Sequence, residues 1–251
     1  MINNRFNLSG KRIIVTGASS GIGRQCAVSF SASGAELLLL DKNEKGLIET
    51  QNMIGTGCRV LPVNLTDYPL VETSVEKIKS TFGKIDGLVN CIGISSVLPI
   101  GFLTPEELGK FFTVNVIAST NLTRLLLKGG MNRGGSIVFI ASVMSIVGES
   151  GKTHYSMTKG ALLSGVRSMA LELAGRNIRV NTISPGVIVT PINANLPHIA
   201  DPQKRHETEL RHPLGLGEPE DIANGCQFLL SDASKWMTGQ NLVIDGGYSI
   251  K

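Results

Sequence analysis

The sequence predicts an α/β fold: a doubly wound parallel sheet of about seven strands with helices on both faces, forming a single domain over residues 1–251. Three observations carry this expectation. Short, near-continuous apolar runs alternate with longer helical patterns, as when parallel strands are covered on both faces. The strand-helix-strand order recurs along the chain. No linker, repeat or low-complexity stretch divides it, and 42% hydrophobic with 18% charged residues suits a large core.

The strands read as "RIIVTG" (12–17), "ELLLLD" (36–41), "CRVLPV" (58–63), "IDGLVN" (85–90), "SIVFIAS" (136–142), "IRVNTIS" (178–184) and "NLVID" (241–245). Helices are expected near 22–33, 44–54, 67–82, 105–128, 153–174 and 218–230. "TPEEL" at 104–108 gives the fourth helix a cap, an N1 proline and early acids. In such a sheet, ligands bind beyond the carboxyl ends of the strands, at the point where strand order reverses. Unusual residues should therefore stand just after strands.

They do. After the first strand comes "TGASSGIG", whose Gly17, Gly21 and Gly23 allow a tight turn and close approach of a pyrophosphate to a helix N-terminus. The second strand ends in Asp41, which can accept both hydroxyls of an adenosine ribose and would repel a 2′-phosphate; it can equally cap a turn. Lys42, Lys45 and Arg24 soften the resulting preference for NAD over NADP. Beyond the third strand lie Asn64 and Leu65, suited to adenine or to a turn. "VNCIG" follows with Asn90 and Gly93, the fifth strand ends at Ser142, and "SPGVIVT" supplies Pro185, Gly186 and Thr190.

"HYSMTKG" places Tyr155 and Lys159 four positions apart, on one face of a helix. Alone, such a pair is ordinary packing. With the strand-end residues it resembles the short-chain dehydrogenase/reductase family over essentially the whole chain, from "TGASSGIG" through Ser142 and "YSMTK" to "DGG" at 245–247. The glycine spacing T-G-x-x-x-G-x-G and a serine ahead of Y-x-x-x-K carry the likeness. The sequence departs at "NCIG", where the family usually has N-N-A-G, and at Asn64, where aspartate is commoner.

The resemblance implies the catalytic set Asn115, Ser142, Tyr155 and Lys159. It also implies a cofactor set of Gly17, Ser19, Ser20, Gly21, Ile22, Gly23, Asp41, Asn64, Leu65, Asn90, Gly93, Tyr155, Lys159, Pro185, Gly186, Ile188 and Thr190. The reaction implied is hydride transfer between NAD, with NADP not excluded, and the carbonyl or alcohol carbon of a small molecule. A free phenol has a pKa of about 10 and exchanges protons poorly near neutrality; an ammonium one turn away is expected to lower it. Tyr155 then acts as acid or base, Ser142 binds the substrate oxygen, Lys159 also holds the nicotinamide ribose, and Asn115 holds a proton-carrying water. His154, about 100° round the helix from Tyr155, is expected to be a bystander.

The stretch 187–217 reads as a substrate lid. Its Lys204, Arg205, His206, Arg211 and His212 could meet an acidic partner, although Glu207 and Glu209 dilute the charge. The opposite wall is expected from "SSVLPI" (95–100) and "VMSIVG" (143–148). Met157, Ala161, Leu162, Leu163, Val166, Met169, Ala170, Leu171 and Leu173 make the 153–174 helix apolar around most of its circumference, which predicts a homo-oligomer, with the family pointing to a tetramer. The net charge of +4 comes without a basic run, so nucleic acid is not expected. Four scattered cysteines, no metal-ligand spacing, no apolar leader and no span of membrane length suit a cytoplasmic protein with no metal. An NADPH-dependent 3-oxoacyl-[acyl-carrier-protein] reductase is the alternative, opposed by Asp41 and by serine at position 20. A dinucleotide-binding protein without catalysis is a third.

Overall fold

The computed structural model describes residues 5–191 and 193–251, so the chain start and one position of the expected lid lie outside the described residues. The strands are β1 (Arg12–Thr16), β2 (Glu36–Asp41), β3 (Cys58–Pro62), β4 (Ile85–Asn90), β5 (Met131–Ile140), β6 (Arg179–Pro185) and β7 (Asn241–Ile244). They form one parallel sheet in the order β3-β2-β1-β4-β5-β6-β7. The order reverses between β1 and β4, which sets the ligand crevice there.

Successive strand residues face opposite sides, and the sheet divides two cores accordingly. Ile13, Val15, Leu37 and Leu39 pack with Phe30 of α1 (Gly21–Ala32), Leu47 of α2 (Glu44–Ile54) and Leu229 of α9 (Pro219–Leu230). Ile14, Leu38, Leu88 and Phe139 pack with Val75 of α3 (Tyr68–Thr81), Leu122 of α5 (Ala118–Leu127) and Leu162 of α6 (Thr153–Leu173).

Helix starts follow local chemistry. Asn43 accepts from the Gly46 N–H and Asp67 from that of Leu70. Thr104 accepts from the Glu107 N–H ahead of α4 (Pro105–Phe112), as "TPEEL" predicts.

Three features differ from expectation. β5 begins at Met131 rather than 136, with an irregularity in its register against β4 between Ile85 and Gly87; Gly134, at φ +79°, lets the chain turn there. The expected 105–128 helix is interrupted: α4 and α5 are separated by a π-helical turn at Thr113–Ile117 that contains Asn115. The segment 187–217 contains α7 (Pro197–Ala200) and α8 (Pro202–Leu210). α8 buries none of its residues, so it carries no apolar periodicity, and only Asp201 and Pro202 mark its start. The two ends of this segment are tied together by an isolated parallel bridge, Ile188 to Gly217.

Candidate active site

The glycine turn after β1 is built for close approach. Gly17 and Gly21 have φ of +66° and +55°. A methyl on Gly23 would lie 2.7 Å from the Gly17 carbonyl carbon, and one on Gly17 would lie 3.1 Å from the Cys91 carbonyl carbon. The loop after β1, the start of α1 and the end of β4 therefore meet with no side chain between them. Ser20 makes no side-chain cap bond, and Ile22 is partly buried beside the α1 core.

Asp41, at the end of β2, accepts from the Ser19 hydroxyl at 2.8 Å and through its other oxygen from the Asn43 N–H at 2.9 Å. Arg24 is committed elsewhere: it bonds the Ser19 and Gly46 carbonyls, the Thr50 hydroxyl and the Glu49 carboxylate. Asn64 closes its own turn, accepting from the Thr66 N–H and hydroxyl, while the Leu65 side chain enters the core. Asn90 donates to Thr123 at 3.3 Å, and its Oδ1 is buried without a partner among the described residues. Gly93 passes so close to the centre that a methyl there would lie 3.3 Å from Lys159 Nζ and 3.5 Å from Asn115 Oδ1.

Beyond β6, Pro185 precedes Gly186, whose N–H donates to the Ile244 carbonyl; a methyl at Gly186 would strike the Asp245 backbone at 2.8 Å. Ile188 is buried, and the Thr190 side chain stands 3.4 Å from a methyl built on Gly21, over the glycine turn. While the Leu65 side chain lies in the core, the loops after β1 and β4 thus frame a glycine-lined crevice at the strand ends. Its bare glycines, the Asp41 carboxylate and the orphaned Asn90 oxygen fit a dinucleotide.

At the inner end stand Ser142, Tyr155 and Lys159. Ser142 stands two residues beyond the end of β5 and accepts from the Met144 N–H at 3.2 Å, opening a short 3-10 turn. Tyr155 and Lys159 share a face of α6. Lys159 Nζ lies 5.6 Å from the Tyr155 ring centre and donates to the Ile140 carbonyl at 2.8 Å. Burial pushes the Lys159 pKa down from 10.5 to about 8. Burial also pushes the Tyr155 phenol up, and a hydrogen bond with Ser142 pulls it partly back. In place of the expected lowering by the Lys159 ammonium the phenol shows a net rise: burial is its main cause, and the Ser142 hydrogen bond opposes it.

Asn115 reaches the same spot from the π turn. Its amide donates to the Ile94 carbonyl at 3.0 Å and to the Thr158 hydroxyl at 3.0 Å, and its oxygen accepts from the Ile94 N–H at 2.8 Å. Both amide hydrogens are spent on protein partners, so this side chain positions the loop after β4. His154 points away from the centre, as expected. It is fully buried, lies edge-on to Phe111 and bonds the Ser96 hydroxyl at 2.9 Å, while burial depresses its pKa.

One group was not anticipated, and one expected lid cation, His212, lies buried against protein partners instead of facing an acidic partner. Lys152 Nζ lies 5.7 Å from the Tyr155 ring centre and donates to the Ser95 hydroxyl at 3.1 Å. Its only signal in the sequence is its place three residues before Tyr155. His212 is buried at the base of the 187–217 segment, stacked on Tyr248 at 4.8 Å, and its Nε2 accepts from the Val187 N–H at 3.3 Å.

Comparison with known proteins agrees with this fold. A family model described as enoyl-(acyl carrier protein) reductase matches residues 17–249. A relative called 3-oxoacyl-[acyl-carrier-protein] reductase FabG, from Thermotoga maritima, is 37% identical and is matched over 98% of this chain and 100% of its own. An L-rhamnose 1-dehydrogenase (NAD(P)(+)) of Sphingomonas sp. is 34% identical over 96% of both chains. A solved short-chain type dehydrogenase/reductase from Mycobacterium marinum superposes with a TM-score of 0.90 at 30% identity, covering 100% of both chains. With these likenesses spanning the whole fold, the chain belongs to the short-chain dehydrogenase/reductase family and is an oxidoreductase of that family.

Proposed function

We propose that this chain reversibly reduces the carbonyl of a small molecule, with Tyr155 as the proton donor and acceptor and NAD as the favoured cofactor. The observation that carries the reading is the meeting of the Ser142 hydroxyl, the Tyr155 phenol and the Lys159 ammonium at the inner end of the glycine-lined crevice. When bound, the nicotinamide cofactor supplies or accepts the hydride. Gly17, Ser19, Ser20, Gly21, Ile22 and Gly23 would hold its pyrophosphate side, Asp41 the adenosine ribose, Asn64 and Leu65 the adenine, and Asn90, Gly93, Pro185, Gly186, Ile188 and Thr190 the nicotinamide half.

In reduction, negative charge grows on the substrate oxygen. The Ser142 hydroxyl steadies that oxygen, and the Tyr155 phenol gives it a proton. Because burial keeps Tyr155 protonated near neutrality, it is poised as the acid. Lys159 supplies positive charge beside the phenol and, next to the bare Gly93, would hold the cofactor ribose. Asn115 holds the Ile94 backbone and the Thr158 hydroxyl, fixing the wall on which both rest.

NAD is favoured because the Asp41 carboxylate stands at the ribose end and Arg24 is already bonded to Glu49 and to backbone carbonyls, leaving it poorly placed for a 2′-phosphate. The full-length likeness to a 3-oxoacyl-[acyl-carrier-protein] reductase favours a second reading, NADPH-dependent reduction of a carrier-bound oxoacyl group. The 187–217 segment would serve as the lid. Met157 and Leu171 of α6 remain exposed, which supports a homo-oligomer, tetrameric in the family's manner. Among the described residues no helix is long and apolar enough to cross a membrane, and a cytoplasmic location is our reading. A panel of alcohols with NAD and of ketones with NADH, followed by nicotinamide absorbance, tests the function; no turnover anywhere on the panel, with cofactor bound, would overturn it.

A further inference from the structure

Lys152 is partly buried beside the Tyr155 ring and is unlike a solvated surface lysine. Its ammonium lies over the same tyrosine ring as Lys159, at 5.7 Å against 5.6 Å, so two cations flank one phenol. It makes no ion pair among the described residues. The nearby carboxylate, Glu149, instead stands 4.0 Å from Arg211 of the expected lid, and two cations share that one negative charge. Among the described residues the Lys152 ammonium donates one hydrogen bond, to the Ser95 hydroxyl at 3.1 Å. Accepting from Lys152 leaves the Ser95 O–H free to donate. The two walls are held in this relation by the backbone, since the Leu98 N–H donates to the Gly151 carbonyl at 2.8 Å.

Partial burial depresses the Lys152 pKa, with Glu149 opposing, so this charge has lost hydration that no protein carboxylate fully replaces. An anion seated between Lys152 and Ser95 would restore it through charge-assisted hydrogen bonds. We infer that the substrate is a small hydroxy- or oxo-carboxylate, its carboxylate held by Lys152 and Ser95 while its carbonyl oxygen meets Tyr155 and Ser142. This rests on the reading of Tyr155 as the proton donor. It adds the substrate's charge, which neither the glycine crevice nor the Tyr155 centre specifies.

The test compares 2-, 3- and 4-oxocarboxylates with their methyl esters, using whichever of NADH and NADPH binds, in the wild type, Lys152→Met and Lys152→Arg. The wild type should prefer an acid to its ester in kcat/KM. Lys152→Met should reduce that acid-over-ester ratio on the order of 10- to 100-fold, mainly through KM, and Lys152→Arg should recover part of it. A short saturated carboxylate should compete with an ester substrate in the wild type and lose that competition in Lys152→Met. An acid-over-ester ratio equal in wild type and Lys152→Met overturns the inference while leaving the Tyr155 reading intact. If neither acids, esters nor neutral ketones turn over, the Tyr155 reading falls. The inference is then judged by binding: a saturated carboxylate must raise the melting temperature of the cofactor-loaded wild type but not of Lys152→Met, and equal shifts or none overturn it.

Discussion

Asn115 and Ile94 are bonded in both directions: the Ile94 N–H donates to the Asn115 side-chain oxygen at 2.8 Å, and the Asn115 amide donates back to the Ile94 carbonyl at 3.0 Å. An asparagine side chain here mimics a strand partner, extending β4's neighbourhood into the loop that walls the site. The π turn makes this possible by swinging the residue inward from a helix that would otherwise run straight. Asn115→Ala strands a backbone N–H and carbonyl and loses the Thr158 bond. Each buried group left unpaired costs about 1–3 kcal/mol, so thermal denaturation should show a fall of several degrees, at about 2–4 °C per kcal/mol for a chain of this size. A melting temperature within about a degree of wild type contradicts the positioning role.

Tyr155→Phe should lower turnover at least about 10²–10⁴-fold, the range for losing a general acid-base group, while cofactor affinity changes little. The wild type adds a pH signature. Burial raises the phenol's pKa, so phenolate is scarce at neutrality and its fraction grows about tenfold per pH unit below that pKa. Alcohol oxidation, which needs phenolate, should climb from pH 7 toward 9, whereas ketone reduction, which needs phenol, should not gain over that range. An oxidation rate flat with pH under chemistry-limited conditions argues for a different base.

Lys159 is a functional cation bought with stability. Its pKa of about 8 in the fold, against 10.5 outside it, means the unfolded chain holds the proton more tightly between those values. Stability should therefore be penalised below pH 8 and recover as pH rises toward 10.5. The shift corresponds to about 3 kcal/mol in favour of the neutral amine, a net figure that already includes the bond to the Ile140 carbonyl. Lys159→Met should accordingly melt several degrees higher at pH 7 while losing activity. A lower melting temperature for Lys159→Met would show that the ammonium stabilises the fold.

How much of this was legible depended on the distance between partners. The sheet could be read because buried parallel strands are apolar without alternation and helical crossovers recur between them, whereas the strand order comes from the folded chain alone. Tyr155 and Lys159 could be read because helical spacing alone puts them on one face. Lys152 and Ser95 could not, since 57 residues separate them and only the folded walls bring them together. The sign of the Tyr155 shift was hidden for a related reason: spacing reports a neighbouring charge, whereas desolvation depends on everything packed around the ring. α8 escaped notice because a helix that buries nothing writes no pattern.

Asp41 offers the sharpest test of cofactor choice. Its carboxylate is oriented from two sides, by the Ser19 hydroxyl and the Asn43 N–H, and so is held at the strand end before any ligand arrives. A ribose with free hydroxyls can donate to it, whereas a 2′-phosphate meets like charge at the same place. Asp41→Ala removes both the acceptor and the repulsion. A hydrogen bond to a charged group contributes about 1.5–3 kcal/mol, so NADH affinity should fall on the order of 10- to 100-fold, and NADPH affinity should rise with Lys42 and Lys45 close in sequence. Titrations of both cofactors by nicotinamide fluorescence read the two changes separately. Wild-type protein that binds NADPH tenfold tighter than NADH, or an Asp41→Ala variant whose preference is unmoved, means that the ribose is recognised elsewhere in the crevice.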